Sequence, residues 1–317
     1  MSSVAREGSP AAEPVPAPVL AEVVRSGFVE SRHRGSLVVL AADGSVLRAL
    51  GDVTGPVFPR SCNKPMQAAG LLRAGLSLAG ERLALAAASH AGEDAHRELV
   101  ARMLAEAGLD EDALRCPADR PGYGAGPGPA SRTAMNCSGK HAAMLAASAA
   151  NGWPLATYTE PGHPVQVLAR EAVEAATGEP VAHVGVDGCG APLFSCSLTG
   201  LARAFRGLVL AGPGTPERRV ADAMRAHPEC VAGQGRADTL LMRAVPGLLA
   251  KGGAEAVQAV ALPDGRALAL KIEDGGMRAR GPVLAAVLAS LGVDASAVPA
   301  EPVLGAGRQV GEVRAVI

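Results

Sequence analysis

The chain is poor in aromatic residues and carries no excess of positive charge. It contains one Trp, two Tyr and four Phe among 317 residues, and its formal net charge is −1 at pH 7. Proteins that bind nucleic acid use aromatic side chains to stack on bases and basic surfaces to hold phosphates. The composition therefore argues against nucleic acid as a partner.

Long apolar runs are also missing. No uninterrupted apolar stretch approaches the roughly 20 residues that a membrane-spanning helix needs. Residues 1–20, MSSVAREGSPAAEPVPAPVL, contain no apolar core of a signal peptide, and their Pro, Ala and Ser content predicts a disordered leader. We expect a single domain over residues 21–317, a cytoplasmic location and no membrane partner.

Cysteine is too sparse for a fold held together by disulfides, with six residues in 317. In a long chain without an export signal, cysteines serve more often as free thiols, metal ligands or catalytic groups than as disulfides. We therefore expect no disulfide framework.

Lysine is the rarest charged residue. It occurs at four positions, Lys64, Lys140, Lys251 and Lys271, whereas arginine supplies 26 of the 30 basic residues. Arginine stays protonated under almost any condition, but a lysine amine can become neutral when it is buried near other charges. The four lysines are therefore candidates for positions that require a titratable amine. The alternative is that a codon-biased chain retains a few lysines by chance.

Short apolar runs near both ends of the chain predict strands, and Asp43-Gly44 and Asp264-Gly265 predict hairpin turns. In the middle of the chain, the apolar residues follow a helical spacing, which predicts a series of helices from residues 65–76 to residues 237–250. A last helix is predicted over residues 281–292. Strands at both ends with helices between them predict an α+β fold, in which the two chain ends build one sheet.

The segment FPRSCNKPMQA places Ser61 and Lys64 three positions apart at a predicted helix start. This spacing puts both side chains on one face of the helix. A serine hydroxyl becomes an effective nucleophile when a neighbouring amine of lowered pKa accepts its proton. Ser-x-x-Lys is common by chance, and the alternative is a capping serine followed by a solvated lysine.

Two further segments combine thiols with other metal-binding groups. MNCSGKHAAM contains Cys137, Lys140 and His141, and VGVDGCGAP contains Asp187 and Cys189. Two cysteines from separate loops and one nitrogen donor suit Zn2+, which prefers tetrahedral sulfur and nitrogen ligands. The spacing lacks paired CxxC motifs, so buried structural thiols are the alternative.

The remaining candidates are isolated polar residues beside turns. ASHAGEDAH contains Ser89, a second hydroxyl suited to proton relay, and His90. Lys251 precedes two glycines that allow another backbone to approach, and Lys271 ends the following strand. Solvated strand ends are the alternative for both lysines.

Taken together, these segments resemble the asparaginase II family, typified by the inducible rhizobial L-asparaginase. The matching segments, in chain order, are VESRHRGS, FPRSCNKPMQA, ASHAGE, NCSGKHA, VDGCGAP, LAKGGAE and KIEDG followed by RAR. The resemblance implies a fold like serine β-lactamases, penicillin-binding proteins and serine-dependent glutaminases, with an antiparallel sheet from both chain ends, a helical region and the active site between them. It also implies hydrolysis of L-asparagine to L-aspartate and ammonia by two Ser-Lys pairs without an organic cofactor, in a homodimer with zinc beside the site.

The resemblance also assigns roles to individual residues. Ser61 and Lys64 match the first Ser-Lys pair, and Ser89 matches the second serine, with Lys251 as its partner and Lys271 as the alternative. The implied zinc ligands are Cys137, Lys140 and Cys189. The implied supports of substrate binding are Arg60, His90, Asp187 and His141. Among these, Arg60 is a candidate to pair with the substrate α-carboxylate, because a guanidinium group binds a carboxylate through two parallel hydrogen bonds.

Two other functions fit parts of the pattern. One is a penicillin-recognising acyl-serine enzyme, although the Ser-Asp-Asn element usual in such enzymes is missing. The other is a non-catalytic module ordered by zinc, in which Cys137, Lys140 and Cys189 hold the fold and the serines are incidental. The first predicts covalent labelling by penicillin, and the second predicts unfolding on chelation without amide hydrolysis.

Overall fold

The computed structural model describes residues 16–317, and within them two sheets and a set of helices form one core. The strands are β1 (Val19–Arg25), β2 (Phe28–Leu40), β3 (Val46–Leu50), β4 (Val184–Val186), β5 (Pro192–Phe194), β6 (Leu249–Gly253), β7 (Val257–Ala261), β8 (Ala267–Ile272), β9 (Pro302–Gly305) and β10 (Arg308–Ala315). The helices are α1 (Lys64–Arg73), α2 (Gly80–Ala86), α3 (Asp94–Glu106), α4 (Ser138–Ala150), α5 (Pro164–Thr177), α6 (Leu198–Leu210), α7 (Pro216–Ala226), α8 (Pro228–Val231), α9 (Ala237–Ala244) and α10 (Met277–Ser290).

The main sheet is antiparallel and joins the two ends of the chain. Its strand order is β6-β7-β8-β2-β1-β10-β9, and β3 pairs with β2. The long strand β2 pairs with β1 through its first half and with β8 and β3 through its second half. Strand β1 pairs in turn with β10, so that Ala21 lies opposite Ala315. This confirms the predicted α+β fold with a sheet built from both chain ends.

The two predicted hairpin turns are present. The Asp43-Gly44 turn joins β2 to β3, and the Asp264-Gly265 turn joins β7 to β8. In both turns the aspartate accepts a hydrogen bond from the backbone N–H two residues later, and the glycine has a φ of 91°. A left-handed backbone of this kind is accessible to glycine at little cost.

The helix predicted over residues 237–250 is wrong in its second half. Helix α9 ends at Ala244, and Leu249 already begins β6. Pro246 and Gly247 lie between these elements; proline cannot continue a helix, and the glycine has a φ of 81°. The correction matters for function because it places Lys251 in the middle of an edge strand.

The predicted leader lies mostly outside the described residues, which begin at position 16. Strand β1 begins at Val19, and Leu20 is fully buried, so ordered structure starts just before the predicted boundary. Within the part of the chain that the structure describes, no helix is both long and apolar enough to cross a membrane.

A glycine sets the position of helix α4, which follows directly on Cys137 and carries Lys140. A Cβ atom on Gly139 would lie 2.5 Å from the carbonyl oxygen of Leu85, at the end of α2. Real Cβ atoms do not approach a carbonyl oxygen this closely. Only glycine therefore lets α4 pack against α2 and bring the thiol segment next to Ser89.

We expect Gly139→Ala to destabilise the protein by about 1 to 3 kcal/mol, because the added methyl group forces the two helices apart. The measurement is denaturant unfolding of the two proteins side by side. Gly207→Ala is the matched control, since Gly207 lies in the exposed face of α6 with nothing within 4 Å of its added Cβ atom. This control should be neutral or slightly more stable; equal stability of both variants would contradict the packing argument.

Candidate active site

A pocket with a volume of about 660 Å³ lies where the sheet edge meets the helical region. Its wall combines strand β6, the segment before α1, the segment after α2, the turn between β4 and β5, and the first turns of α9 and α10. The predicted site residues that line it are Arg60, Ser61, Ser89, Cys137, Asp187, Cys189 and Lys251. Residues far apart in the sequence therefore meet in one pocket.

Ser61 lies in a 3-10 turn (Arg60–Asn63) that continues directly into α1. This turn lies on strand β6, because a Cβ atom on Gly253 would be only 2.7 Å from the carbonyl oxygen of Pro59. Arg60 has a φ of 51°, a left-handed conformation that is strained for a residue other than glycine. The Ser61 hydroxyl makes no hydrogen bond with any described residue, although Ser61 is only 7% exposed.

Ser89 has a fixed backbone and a free side chain. Its N–H donates to the carbonyl oxygen of Val231 at 2.9 Å, and its own carbonyl oxygen accepts from the Tyr123 hydroxyl at 2.8 Å. Like Ser61, it has a hydroxyl without a hydrogen-bond partner among residues 16–317. In contrast, the Ser138 hydroxyl donates to the carbonyl oxygen of Thr133 at 2.8 Å and is structural.

Lys64 is buried behind the two serines. Its amino group donates to the carbonyl oxygen of Ala88 at 2.6 Å and to the Cys137 thiol sulfur at 3.0 Å. Lys64 is 1% exposed and does not line the pocket. Lys64 therefore connects the start of α1 to the segment that carries Ser89 and to the segment that carries Cys137.

Lys251 is the titratable amine that faces the pocket. It is 1% exposed, and its amino group donates to the carbonyl oxygen of Gly252 at 2.7 Å. Burial lowers the pKa of Lys251 to about 8; the positive charges of Lys64 and Arg280 act in the same direction, whereas the Asp238 carboxylate opposes it. A substantial share of Lys251 is therefore neutral at physiological pH.

Lys271, the alternative partner for Ser89, lies outside the pocket wall. Its amino group donates to the carbonyl oxygens of Glu255 and Ile272, at 2.8 and 2.7 Å. It is only half-buried, and these contacts hold the turn between β6 and β7 against the end of β8. Of the two lysines, Lys251 has the better position for chemistry.

The two predicted thiol ligands meet at the pocket wall. One ligand atom each from Cys137, Asp187 and Cys189 lies within 4.8 Å of the others, and the Lys140 amino group lies 3.3 Å from the Cys189 sulfur. Nearby His141 has a buried Nε2 atom that lacks a hydrogen-bond partner in the described chain. Two thiols, a carboxylate and an amine form a donor set that fits Zn2+.

Arg60 and Asp187 form an ion pair across the pocket wall. Two nitrogen atoms of the guanidinium contact the same Asp187 oxygen, Nη2 at 2.9 Å and Nε at 3.0 Å, and Nη1 lies 3.8 Å from Glu255. The guanidinium of Arg60 is therefore already engaged by carboxylates of the protein. This reduces its capacity for a substrate carboxylate.

His90 and His141 lie behind the pocket wall and support it. The N–H of Gly92 donates to His90 Nδ1 at 3.1 Å, so this ring is neutral and its Nε2–H donates to the Ser138 hydroxyl at 3.0 Å. Burial keeps the pKa of His90 well below its usual value. His141 Nδ1 lies 2.6 Å from the hydroxyl of buried Tyr158. Neither imidazole faces the pocket.

The pocket also contains polar residues that were not among the sequence predictions, including Tyr123, Arg236, Asp238 and Arg280. Tyr123 lies in the Gly/Pro-rich loop of residues 118–132, which showed no recognisable binding pattern. Asp238 is buried at the start of α9 and accepts from the N–H of Gly252 at 2.6 Å. Of these four residues, only Arg280 lies in a segment that resembles the family, the RAR after KIEDG.

Among curated proteins, no sequence matches the chain significantly. Distantly similar structures include a Bacillus glutaminase crystallised with 4.3 M NaCl (11% identity, 82% of this chain and 91% of that chain, TM-score 0.46). They also include a β-lactamase from Mycobacterium bovis (15% identity, covering 81% of this chain and 94% of that chain, TM-score 0.41). A third is an octameric penicillin-binding protein homologue from Pyrococcus abyssi (12% identity, covering 84% of this chain and 75% of that chain, TM-score 0.36).

The family comparison covers almost all of the described chain. The model of the family described as L-asparaginase II matches residues 21–315. The match includes all the segments that form the pocket, from the Ser61 turn to the start of α10. The chain therefore belongs to the L-asparaginase II family of amidohydrolases.

Proposed function

We propose that the protein hydrolyses the side-chain amide of L-asparagine to L-aspartate and ammonia. The observation that carries this proposal is one pocket that contains two unpartnered serine hydroxyls and a buried lysine of lowered pKa. A neutral amine beside a free hydroxyl is the arrangement that activates serine as a nucleophile. Membership of the family supports asparagine as the substrate.

In the proposed mechanism, the Ser61 oxygen attacks the amide carbon while neutral Lys251 accepts the hydroxyl proton. Ser61 lies at the start of a helix, where N–H groups lack partners within the helix, so its own N–H can stabilise the oxyanion. Lys251 then returns the proton to the leaving nitrogen, the C–N bond breaks and ammonia departs. Water, deprotonated through Ser89 and Lys251, cleaves the Ser61 ester and releases aspartate.

Lys64, the first candidate base from the sequence, has a different role in this proposal. Its amino group already donates to the carbonyl oxygen of Ala88 and to Cys137. It supplies a positive charge that helps to keep the pKa of neighbouring Lys251 low. It also fixes the distance between the segments that carry Ser61 and Ser89.

The wild-type protein should release ammonia from L-asparagine, and Lys251→Met should lower kcat/KM at least about 100-fold, because it removes the amine that accepts the serine proton in the proposed mechanism. Lys251→Arg should be equally impaired, since arginine does not deprotonate. Ser61→Ala should lose activity to a similar extent. The measurement is coupled detection of ammonia, with L-glutamine assayed in parallel to establish the amide preference.

The matched control is Lys271→Met, which removes a lysine outside the pocket and should keep kcat/KM within about threefold. Full activity of Lys251→Met would contradict the mechanism. Absence of ammonia from both amides, in folded wild-type protein supplied with zinc, would contradict the function and favour a module that zinc merely orders.

The activity should depend on pH through Lys251. The reactive form is the neutral amine, and its fraction increases as the pH rises towards the pKa of about 8. kcat/KM should therefore increase about tenfold per pH unit below this value and level off above it. A pH profile of initial rates measures this; a flat profile between pH 6 and pH 9 would mean that Lys251 does not act as the base.

We further propose that Zn2+ binds to Cys137, Lys140 and Cys189, with the Asp187 carboxylate beside them. When bound, zinc would act as a Lewis acid and tie the α4 segment to the turn between β4 and β5. Because Asp187 also pairs with Arg60, the same ion would help to fix the residue that precedes Ser61. The thiols must bind as thiolates, so metal uptake releases protons.

Titration with Co2+ should produce the absorption bands of a tetrahedral thiolate complex, and Zn2+ should displace the cobalt. Cys189→Ala should weaken binding at least about 100-fold, since it removes one of the two sulfur donors. The control is Cys230→Ala, because Cys230 lies outside the pocket and should leave the titration unchanged. Unaltered cobalt spectra in Cys189→Ala would contradict this ligand set.

A further inference from the structure

Two segments that the sequence singled out, VESRHRGS and KIEDG with RAR, have no role in the mechanism above. In the structure they contact each other through His33 on β2. Its Nδ1 lies 2.8 Å from an Asp274 oxygen, and its Nε2 lies 3.0 Å from Nε of Arg278. Because arginine can only donate, Nε2 is the acceptor and Nδ1–H donates to Asp274. The imidazole therefore joins the strand to both sides of the α10 start.

The contacts of His33 restrict the backbone at Gly276, directly before the first turn of α10. A Cβ atom on Gly276, which precedes the helix, would lie 2.6 Å from Cε1 of His33, so only glycine fits. The N–H of Gly276 also donates to Asp274 at 2.8 Å. The helix thus begins at a fixed place on the sheet, one turn before Arg280.

Arg280 extends from this fixed helix into the pocket wall beside Lys251. Its Nη1 donates to the carbonyl oxygen of Gly253 at 3.2 Å. A Cβ atom on Gly252 would lie 2.5 Å from the same nitrogen, so the guanidinium rests directly on the glycine backbone. Gly252, the residue after Lys251, therefore makes room for a partly buried arginine.

Three arginines line the pocket, and they differ in what they already bind. Arg60 is paired with Asp187. Arg236 is exposed, with its guanidinium carbon 4.8 Å from the centre of the Tyr123 ring. Arg280 is partly buried, and no carboxylate among the described residues forms an ion pair with it. Its one hydrogen bond leaves most of its five N–H groups for a ligand.

We propose that Arg280 is the carboxylate-binding residue of this pocket, and that it restricts the substrate to amides with a free α-carboxylate. This inference rests on the proposed amidohydrolase function of the same site. A guanidinium fixed against a backbone presents two parallel N–H groups to a carboxylate, in a geometry that a lysine amine does not reproduce. Asparagine within a peptide, or a simple amide, lacks that carboxylate and is a poor substrate.

The direct test compares L-asparagine with 3-aminopropanamide, which is asparagine without its α-carboxylate. Wild-type protein should prefer asparagine by about 100-fold or more in kcat/KM. Arg280→Gln should lower the preference for asparagine, taken as the ratio of kcat/KM for asparagine to kcat/KM for 3-aminopropanamide, by about 100-fold, mainly through KM for asparagine. A change in the pKa of Lys251 affects both substrates and cancels in this ratio. Arg280→Lys should recover only part of the loss. A variant that merely disturbed the fold would lose activity on both substrates.

Several results would overturn the proposal. If Arg280→Gln retains the wild-type KM for asparagine, or loses activity equally on both amides, Arg280 does not bind the carboxylate. The same conclusion follows if Arg236→Gln, the rival arginine of the pocket, shows the asparagine-specific loss instead. In each case the amidohydrolase function itself stands, because wild-type protein still releases ammonia.

A binding measurement separates the two proposals if wild-type protein hydrolyses neither amide. Calorimetric titration then uses L-aspartate and β-alanine, which is aspartate without its α-carboxylate. Wild-type protein should bind aspartate at least about 50-fold more tightly than β-alanine, and Arg280→Gln should bind the two about equally. Equal binding of both ligands by wild-type protein would overturn the role of Arg280.

Discussion

The close backbone approach between strand β6 and the turn that carries Ser61 determines the rest of the site. Gly253 permits it, since any Cβ atom would collide with the carbonyl oxygen of Pro59. The Cys62 thiol, fully buried, donates to the carbonyl oxygen of Lys251 at 3.0 Å and joins the same two segments. Burial raises the pKa of Cys62 to about 12, so the thiol remains a hydrogen-bond donor. The strand that carries Lys251 and the helix start that carries Ser61 are thereby held together, so the amine and the hydroxyl line the same pocket.

The electrostatics of the site follow from placing several cations in a small buried volume. Lys64, Lys251 and Arg280 are close enough to affect one another, and the buried Asp238 carboxylate offsets only part of their charge. Burial disfavours the charged form of Lys251, and the repulsion adds to this effect, so the pKa of Lys251 falls to about 8. Arginine cannot lose its proton, and Lys251 has a single carbonyl acceptor for its amino group.

The sequence predicted local features of the site well and distant ones poorly. The i, i+3 spacing of Ser61 and Lys64 and the hairpin turns depend on neighbouring residues, and all are present. That Ser61 and Lys251 line the same pocket depends on sheet pairing across most of the chain, which no spacing reveals. The same limit explains the overlong helix before Lys251, where apolar periodicity continued through Pro246. Arg280 was visible only as part of a family-like segment, because its partner is a glycine backbone in another strand.

The scarcity of lysine has a physical explanation in this structure. Lys64, Lys140 and Lys251 are each at most 3% exposed, and all three lie in or directly behind the pocket, whereas Lys271 is half-buried at a turn. Burying an amine is unfavourable unless carbonyl or thiol groups receive its hydrogen bonds, and each of the three has such an acceptor. Where a permanent charge suffices, as in the ion pair of Arg60 with Asp187, the chain uses arginine. If the proposed function holds, the division between the two residue types follows the chemistry. Arginine then holds fixed charges, and lysine remains where proton transfer or metal ligation requires an amine that can become neutral.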